Sequence, residues 1–149
     1  MNNANICSVF SGGAIVTEEE LTELFLKLKD KGIKAVASNC ERGFSLTALS
    51  AADKAGLDII AVIPFEGQPE SWNEELRRKY YKLHKKAAAR FMISTCRSND
   101  CYVLADEFLL SMCSTAVIAG NDPYIQKAAE EMGKETINIH TTDNVRVKI

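Results

Sequence analysis

The sequence predicts a doubly wound α/β fold, with one predominantly parallel sheet covered by helices on both faces. Short apolar runs rich in β-branched residues alternate with amphipathic segments along the whole chain, and the connections between them are short. The 149 residues are enough for one sizeable core, and no linker, repeat or low-complexity segment interrupts them. We therefore expect residues 1–149 to form a single domain.

Six apolar runs are predicted to be strands. The third, Ile59–Ile63, is the clearest, because it is mostly β-branched and ends at Pro64, which cannot donate to a sheet ladder. We expect strands at 5–10, 34–38, 59–63, 90–94, 115–119 and 135–140, and an added edge strand in the alternating residues 145–149.

The segments between the strands carry helix signals. Thr17 with Glu20 and Ser71 with Glu74 have the spacing of capping boxes, and Pro123 marks the start of the last helix. The apolar positions expected on the five helices are Leu21, Leu24, Phe25 and Leu28; Leu46, Leu49, Ala52 and Ala55; Leu76, Tyr80, Leu83 and Ala87; Val103, Leu104 and Phe108; and Ile125, Ala128, Ala129 and Met132.

Composition excludes several classes of protein. A net charge of -2 gives no general attraction to nucleic acid or anionic lipid. Five cysteines without a CxxC spacing and only two histidines predict free thiols and no metal site or cofactor. The first residues lack the positive and long apolar regions of a signal peptide, so we expect none, and no apolar run approaches the ~20 residues that span a bilayer. We expect a cytoplasmic protein with no membrane partner.

Four connections at strand ends are candidates for a ligand site. In a parallel sheet, ligands bind beyond the carboxyl ends of the strands, near the point where the strand order reverses. Glycine permits close backbone approach there, and a helix start favours phosphate, which predicts a nucleotide or another phosphorylated small molecule. A plain turn is the alternative for each loop alone, but four loops at one edge favour a site. The connections are Ser11-Gly12-Gly13, Asn39 to Gly43, Phe65 to Gln68, and Gly120-Asn121-Asp122.

Charged residues in these loops have two interpretations each. Arg42 and Arg97 could pair with phosphate or remain solvated, the latter being favoured for Arg97. Glu41 and Glu66 are acid/base candidates without an identifiable partner. Asp122 is expected to cap its helix rather than to catalyse.

Two further loop residues invite a functional interpretation. Cys40 lies near a helix start, but no histidine is tied to it, so we do not expect a nucleophile. Trp72 is expected to pack as a lid over the loop before it, with stacking on a base as the alternative.

The third helix carries the concentrated basic segment of the chain. Its polar face holds Arg77, Arg78, Lys79, Lys82, Lys85 and Lys86. Such a run is usually a solvated helix face, so we do not expect nucleic acid to be the partner, although contact with it is the alternative.

The loop after the third strand resembles a family signature. Pro64, Phe65, Gln68 and Trp72 match the PF-x-x-Q-x-x-x-W pattern of YpsA-like proteins, which belong to the SLOG superfamily of Rossmann-like domains related to DprA and the LOG phosphoribohydrolases. The second connection is similar to that family's SGGAxGxDxxAAxxA segment, with Ser38, Gly43 and Ala48 in matching places.

The sequence also departs from that family. Asn39 and Cys40 occupy the places of two glycines, Ser45 that of an aspartate, and Gly120-Asn121-Asp122 replaces a Gly-Gly-Thr turn. The PGGxGTxxE motif of the LOG enzymes, whose glutamate belongs to their catalysis, is absent.

The resemblance implies a nucleotide-like ligand that is sensed rather than turned over, and homo-oligomerisation. We therefore assign no catalytic residue and leave enzymatic activity open. The alternatives are a LOG-like N-glycosidic hydrolase using Glu41 or Glu66, and a DprA-like nucleic-acid-binding module. The predicted ligand-binding residues are Ser11, Gly12, Gly13, Ser38, Asn39, Arg42, Gly43, Phe65, Gln68, Trp72, Gly120 and Asn121.

Overall fold

The computed structural model describes residues 5–140, which form six strands and five helices. The strands are β1 (Ile6–Gly12), β2 (Ala35–Ser38), β3 (Asp58–Ile63), β4 (Ala89–Met92), β5 (Thr115–Gly120) and β6 (Glu135–Ile139). The helices are α1 (Glu18–Asp30), α2 (Phe44–Lys54), α3 (Glu74–Lys86), α4 (Cys101–Met112) and α5 (Pro123–Glu131). Every predicted element within this range is present, with small shifts of its boundaries, and the predicted edge strand 145–149 lies outside the described residues.

The six strands form one parallel sheet in the order β4-β3-β2-β1-β5-β6. The chain moves outward from β1 to β4 and then returns to the other side of β1 for β5 and β6. The strand order therefore reverses between β1 and β5, which is where α/β sheets of this kind bind ligands. This topology confirms the predicted doubly wound α/β fold.

The helices divide between the two faces of the sheet. Because crossovers between parallel strands are right-handed, α1, α2 and α3 lie on one face and α4 and α5 on the other. Two buried clusters correspond to these layers, one containing Phe25 and Leu49, the other Leu109 and Ile125. Strands covered on both faces are apolar along their length, which explains why the sequence runs are continuous rather than alternating.

The two predicted capping boxes have different outcomes. The hydroxyl of Thr17 accepts from the backbone N–H of Glu20 at 3.1 Å, and the Glu20 carboxylate accepts from the N–H of Thr17 at 3.0 Å, which confirms the first. The second is wrong. Asn73 caps α3, with its side-chain oxygen accepting from the N–H of Leu76 at 2.9 Å.

The exposed side of α4 also differs from the sequence prediction. Val103 and Leu104 were expected among its apolar contacts, yet they are 52% and 42% exposed. The buried stripe instead contains Cys101, Ala105 and Leu109, at intervals of four residues. Small residues on that stripe allow close packing of α4 on the sheet.

No helix within residues 5–140 is long and apolar enough to cross a membrane.

Candidate ligand site at the carboxyl edge of the sheet

The first and fifth strands come into direct backbone contact where they end. The N–H of Asn121 donates to the carbonyl of Gly12 at 3.1 Å, and that of Ala14 donates to Ala119 at 3.2 Å. A Cβ added to Gly120, whose φ is +102°, would lie 2.4 Å from the Gly12 carbonyl oxygen. Gly12 and Gly120 are therefore required by the approach of two backbones, and the two N–H groups are already committed within the protein.

Gly13 lies in a different environment from these two glycines. It is exposed, its φ is +91°, and a Cβ added there would meet nothing within 4 Å. The neighbouring Ser11 is also exposed, whereas Asn121 is half-buried. Of the predicted residues at the switch point, Ser11 and Gly13 therefore have exposed surface for a ligand.

The turn after β2 is held by its own side chains. The buried Ser38 hydroxyl donates to the carbonyl of Ser45 at 2.8 Å and accepts from the N–H of Cys40 at 3.0 Å. Cys40 has a φ of +65°, in the left-handed region that favours glycine. This conformation gives a physical reason for the glycine that the family pattern has at this place. Ser38 thus shapes the turn from inside the protein.

The start of α2 carries Arg42 and Gly43 at the surface. Gly43 is the N-cap residue, with a φ of +94° and no side-chain cap hydrogen bond, and a Cβ added there would meet nothing within 4 Å. Arg42 is exposed, and its backbone N–H donates to the carboxylate of Glu41 at 2.9 Å. The first turn of α2 contains no acidic residue, so its dipole favours an anion.

Gln68 fixes the loop after β3 through a complete set of hydrogen bonds. Its side-chain nitrogen donates to the Asn39 carbonyl and to the Tyr102 hydroxyl, both at 3.1 Å. Its side-chain oxygen accepts from the Tyr80 hydroxyl at 3.2 Å. Because Gln68 is only 3% exposed and its amide is fully bonded, it joins the β2, β3 and α4 segments rather than facing solvent.

Trp72 is also an internal residue. It is buried, and its ring meets that of Tyr80 edge to face with centroids 5.4 Å apart. Its backbone carbonyl accepts a hydrogen bond from the guanidinium of Arg77. Trp72 therefore anchors the loop on α3, as the lid interpretation expected, and its ring is not exposed for stacking on a base.

An aromatic pair with a cation on it lies beyond the end of β3. Phe65 meets Tyr102 edge to face at 6.3 Å, and the Arg97 guanidinium lies 5.6 Å from the centroid of the Phe65 ring. Arg97 is exposed and forms no ion pair with an acidic residue of the described chain. The cation–π contact orients this positive charge at the carboxyl edge.

Asp106 completes this side of the site and was not predicted. It lies one turn after Tyr102 on α4, and its carboxylate accepts from the Asn39 side-chain nitrogen at 3.3 Å. Burial raises the pKa of Asp106 to about 6, a rise that the Asn39 hydrogen bond opposes and the negative charge of Asp122 reinforces. No local sequence signal distinguishes it from its neighbour Glu107, which is exposed on the same helix.

These contacts form a continuous row of side chains across the strand ends. We call this row the edge row and define it as Arg97, Phe65, Tyr102, Gln68, Asn39 and Asp106. It has a positive charge at one end and a carboxylate at the other. The Asn39 side chain is fixed, because its oxygen accepts from the N–H of Glu41 at 3.1 Å while its nitrogen donates to Asp106.

Two large apolar side chains flank the strand ends at the switch point. Ile15, just after β1, is 92% exposed, and Tyr124, in the first turn of α5, is 63% exposed. Between them Asp122 accepts from the N–H of Ile125 at 3.1 Å, which confirms its predicted role as a helix cap. Exposed apolar groups beside polar ones are typical of ligand-binding surfaces.

The acidic residues considered for catalysis occupy unequal positions. Glu41 is half-buried and hydrogen-bonds the Tyr102 hydroxyl, whose pKa is raised mainly by burial. Glu66 is exposed at the loop tip. Burial raises the pKa of the Cys40 thiol far above neutrality, so it stays protonated and is not a nucleophile. No group of three or more metal-binding side chains is arranged to hold an ion within the described range.

The basic side chains of α3 border an open groove whose lining shares no residue with the edge row. Its volume is about 490 Å³, and its lining residues are Glu74, Arg77, Arg78, Tyr81, Lys82 and Lys85. Some of the neighbouring cations are engaged, since Arg78 pairs with Glu74 and Lys86 with Asp53.

Solved structures show where this fold occurs elsewhere. The DNA processing protein A (DprA) of Streptococcus pneumoniae is similar, with a TM-score of 0.68, 14% identity and coverage of 91% of this chain. This chain covers 50% of that DprA chain, about half its length. No family model matches the sequence, and no curated protein matches it.

The Moco carrier protein of Chlamydomonas reinhardtii is also similar. Two of its structures have TM-scores of 0.54 and 0.51, with 17% and 19% identity. They cover 97% and 93% of this chain, which in turn covers 80% and 77% of theirs. At these identities the likeness concerns the fold alone, and it is a Rossmann-like one.

Proposed function

We propose that this protein is a SLOG-type domain that binds a nucleotide-derived or otherwise phosphorylated small molecule at the carboxyl edge of its sheet. The edge row carries the proposal. It places a cation, an aromatic pair and a half-buried carboxylate in one connected set beside the switch point, and a fold of this kind binds ligands there.

The charges favour one orientation of such a ligand. Asp106 and Asp122 repel an anion, so the phosphate should lie away from them, toward Arg42 and the start of α2 or toward Arg97. The hydrogen-bonding part of the ligand, a base or a ribose, would then lie nearer Asp106. The exposed glycines Gly13 and Gly43 allow close approach of the ligand to the backbone.

The similar structures are compatible with ligand binding on this fold. One of them is, by its name, a carrier of the cofactor Moco, and another processes DNA. A fold of this kind is therefore compatible with the binding of a small molecule.

We expect sensing rather than catalysis. The LOG catalytic motif is absent, the Cys40 thiol is protonated, and Glu41 is engaged with Tyr102. Incubation with nucleoside monophosphates followed by analysis for released base tests this. Base release that is lost on changing both Glu41 and Glu66 to alanine would instead establish the hydrolase.

A thermal-shift screen of nucleotides, sugar phosphates and dinucleotides tests binding itself. We expect a ligand that raises Tm in the unchanged protein and raises it less in Arg42→Gln or Arg97→Gln. Arg78→Gln, on the groove of α3, is the matched control and should respond like the unchanged protein. If no compound of these classes shifts Tm, the proposal is wrong.

The groove on α3 favours nucleic acid as a second candidate partner. Its cations and the exposed ring of Tyr81 could contact phosphates and stack on bases. In a gel-shift assay with single-stranded DNA at about 50 mM salt, where such binding is strongest, Lys82→Glu with Lys85→Glu should abolish any shift. Lys127→Glu, on α5, is the control. No shift in the unchanged protein would exclude this candidate.

The proposal also includes a cytoplasmic location and a homo-oligomeric state. All five cysteines are free thiols, as expected for a cytoplasmic protein, where thiols stay reduced. Homo-oligomerisation, implied by the resemblance, can be decided by light scattering with and without the ligand found in the screen.

A further inference from the structure

Asp106 is a carboxylate with an unusual set of neighbours. One of its oxygens accepts from the Asn39 side chain at 3.3 Å. The titratable group whose charge acts on it is Asp122, at the start of α5. No lysine or arginine in the described range forms an ion pair with it. A half-buried carboxylate without a cation is costly to folding, which favours a role outside folding.

The second carboxylate oxygen of Asp106 is available to a ligand. It accepts no hydrogen bond from a residue of the described chain, and it is not among the polar atoms sealed from solvent. Ionised carboxylates accept in several directions and are matched by two parallel N–H donors. Because Asn39 is held by the N–H of Glu41, the carboxylate that it contacts is fixed in place.

This chemistry distinguishes the purine bases. The edge of guanine that carries N1–H and the 2-amino group presents two adjacent donors, which match a carboxylate. The corresponding edge of adenine presents the acceptor N1, whose lone pair would face the negative oxygens of Asp106. Hypoxanthine keeps N1–H but lacks the amino group, so it should fall between the two.

We infer that Asp106 is the base-reading residue of the site and that it selects a nucleotide with a guanine-type donor edge. The inference rests on the proposed function, since it identifies the class of nucleotide that the same site takes. Asn39 acts as a positioning residue that holds the carboxylate.

Calorimetric titration of the full chain with guanosine, inosine and adenosine monophosphates tests it. At about pH 7.5 we expect guanosine monophosphate to bind roughly tenfold or more tightly than adenosine monophosphate, the range that one paired carboxylate contact supplies. Asp106→Asn should weaken the binding of guanosine monophosphate by a similar factor and tighten that of adenosine monophosphate, because the charge that faces adenine N1 is gone and the amide can donate to it. The control Asp58→Asn, whose side chain is exposed at the start of β3, should change neither.

The ratio of the two nucleotide affinities should also depend on pH. A purely structural role of Asp106 would not change this ratio. Near pH 5 a protonated Asp106 can no longer accept from both donors and no longer repels adenine N1, so the preference for guanosine monophosphate over adenosine monophosphate should shrink. Equal affinities for the three nucleotides, or an equal effect of Asp106→Asn on all of them, would overturn the inference and leave the proposed function standing. Absence of binding by every nucleotide, sugar phosphate and dinucleotide would overturn both.

Discussion

Asp106 gives the clearest expectation at the scale of single residues. Folding raises its pKa from the usual 3.8 to about 6, so the folded state holds the proton more tightly than the unfolded state. The stabilising contribution of this group is complete below about pH 4 and is lost as the pH rises through about 6. Asp106→Asn should therefore stabilise the protein at about pH 7.5, by on the order of 1–2 kcal/mol, and have little effect near pH 4.

Urea denaturation at the two pH values measures this difference. Asp58→Asn is the control, because its side chain is exposed and should be neutral at both. A destabilised Asp106→Asn at neutral pH would mean that the carboxylate supports the fold.

His84 has the opposite pH dependence. Its Nδ1–H donates to the Tyr80 carbonyl at 2.8 Å, and its Nε2 is the one side-chain atom of the described chain that is buried without a partner. Burial and the nearby Arg90 lower the pKa of His84. The neutral ring is therefore favoured on folding, and stability should fall as the pH drops below about 6.5.

His84→Phe removes the titrating imidazole but keeps an aromatic ring stacked on Tyr80. In the unchanged protein the centroids of the two rings are 3.9 Å apart. We expect this variant to match the unchanged protein within about 1 kcal/mol at pH 7.5 and to be the more stable at pH 5. Urea midpoints are best compared in the Asp106→Asn background, which lacks the opposing slope. If the urea midpoints of the two proteins fell equally as the pH drops, His84 would not be the group responsible for the loss of stability.

At the scale of elements, the start of α3 separates two capping assignments. Asn73→Ala should lower the free energy of unfolding by about 1 kcal/mol, because the N–H of Leu76 loses its acceptor. Ser71→Ala should cost less than about 0.5 kcal/mol, as for an exposed residue away from such features. Urea denaturation of both variants decides the matter, and the reverse order of costs would restore the capping box predicted from the sequence.

The helices were predictable from local signals, and the error at α3 occurs where Ser71 and Asn73 both offer a capping side chain. Thr17, Glu20 and the apolar spacing of α1 specify that helix within one segment. Ser71 fails as a cap because it belongs to the turn before α3, and Asn73 takes the capping position two residues later. There the N–H of Trp72 donates to Pro69 at 3.0 Å while its ring is buried on Tyr80.

Local signals were not sufficient for the candidate site. The glycine-bearing loops could be placed at the sheet edge, because parallel topology alone brings them there. The contact of Asn39 with Asp106, 67 residues away, depends on how α4 crosses the opposite face. Nothing local in the α4 sequence indicates that crossing, so Asp106 could not be assigned to the site in advance.

At the scale of the whole molecule, the contact between β1 and β5 joins the two halves of the sheet. Gly120→Ala would place a Cβ 2.4 Å from the Gly12 carbonyl and 2.9 Å from the Ala14 nitrogen. Both are backbone atoms that can move only with their strands. We expect a loss of about 3 kcal/mol or more in unfolding free energy, from overpacking added to a left-handed backbone.

Gly13→Ala is the matched variant for this prediction. Its backbone is also left-handed, with a φ of +91°, but the space around it is open. A cost of about 1 kcal/mol is expected, from the conformation alone. Urea denaturation compares the two, and equal losses would show that the strands separate easily enough to accept a side chain.

The strand order also has a consequence for synthesis on the ribosome. β1 is the central strand, yet its neighbour β5 is made late, and the contact of Ser8 with Leu109 spans 101 residues. While the nascent chain contains only β1 to β4, one edge of β1 and the sheet face later covered by α4 stay open. Unpaired strand edges of this kind recruit other chains. A chain stalled on the ribosome before β5 is complete should therefore expose an aggregation-prone partial sheet that binds chaperones. Once β5 and α5 have emerged from the ribosome, chaperone binding should decrease.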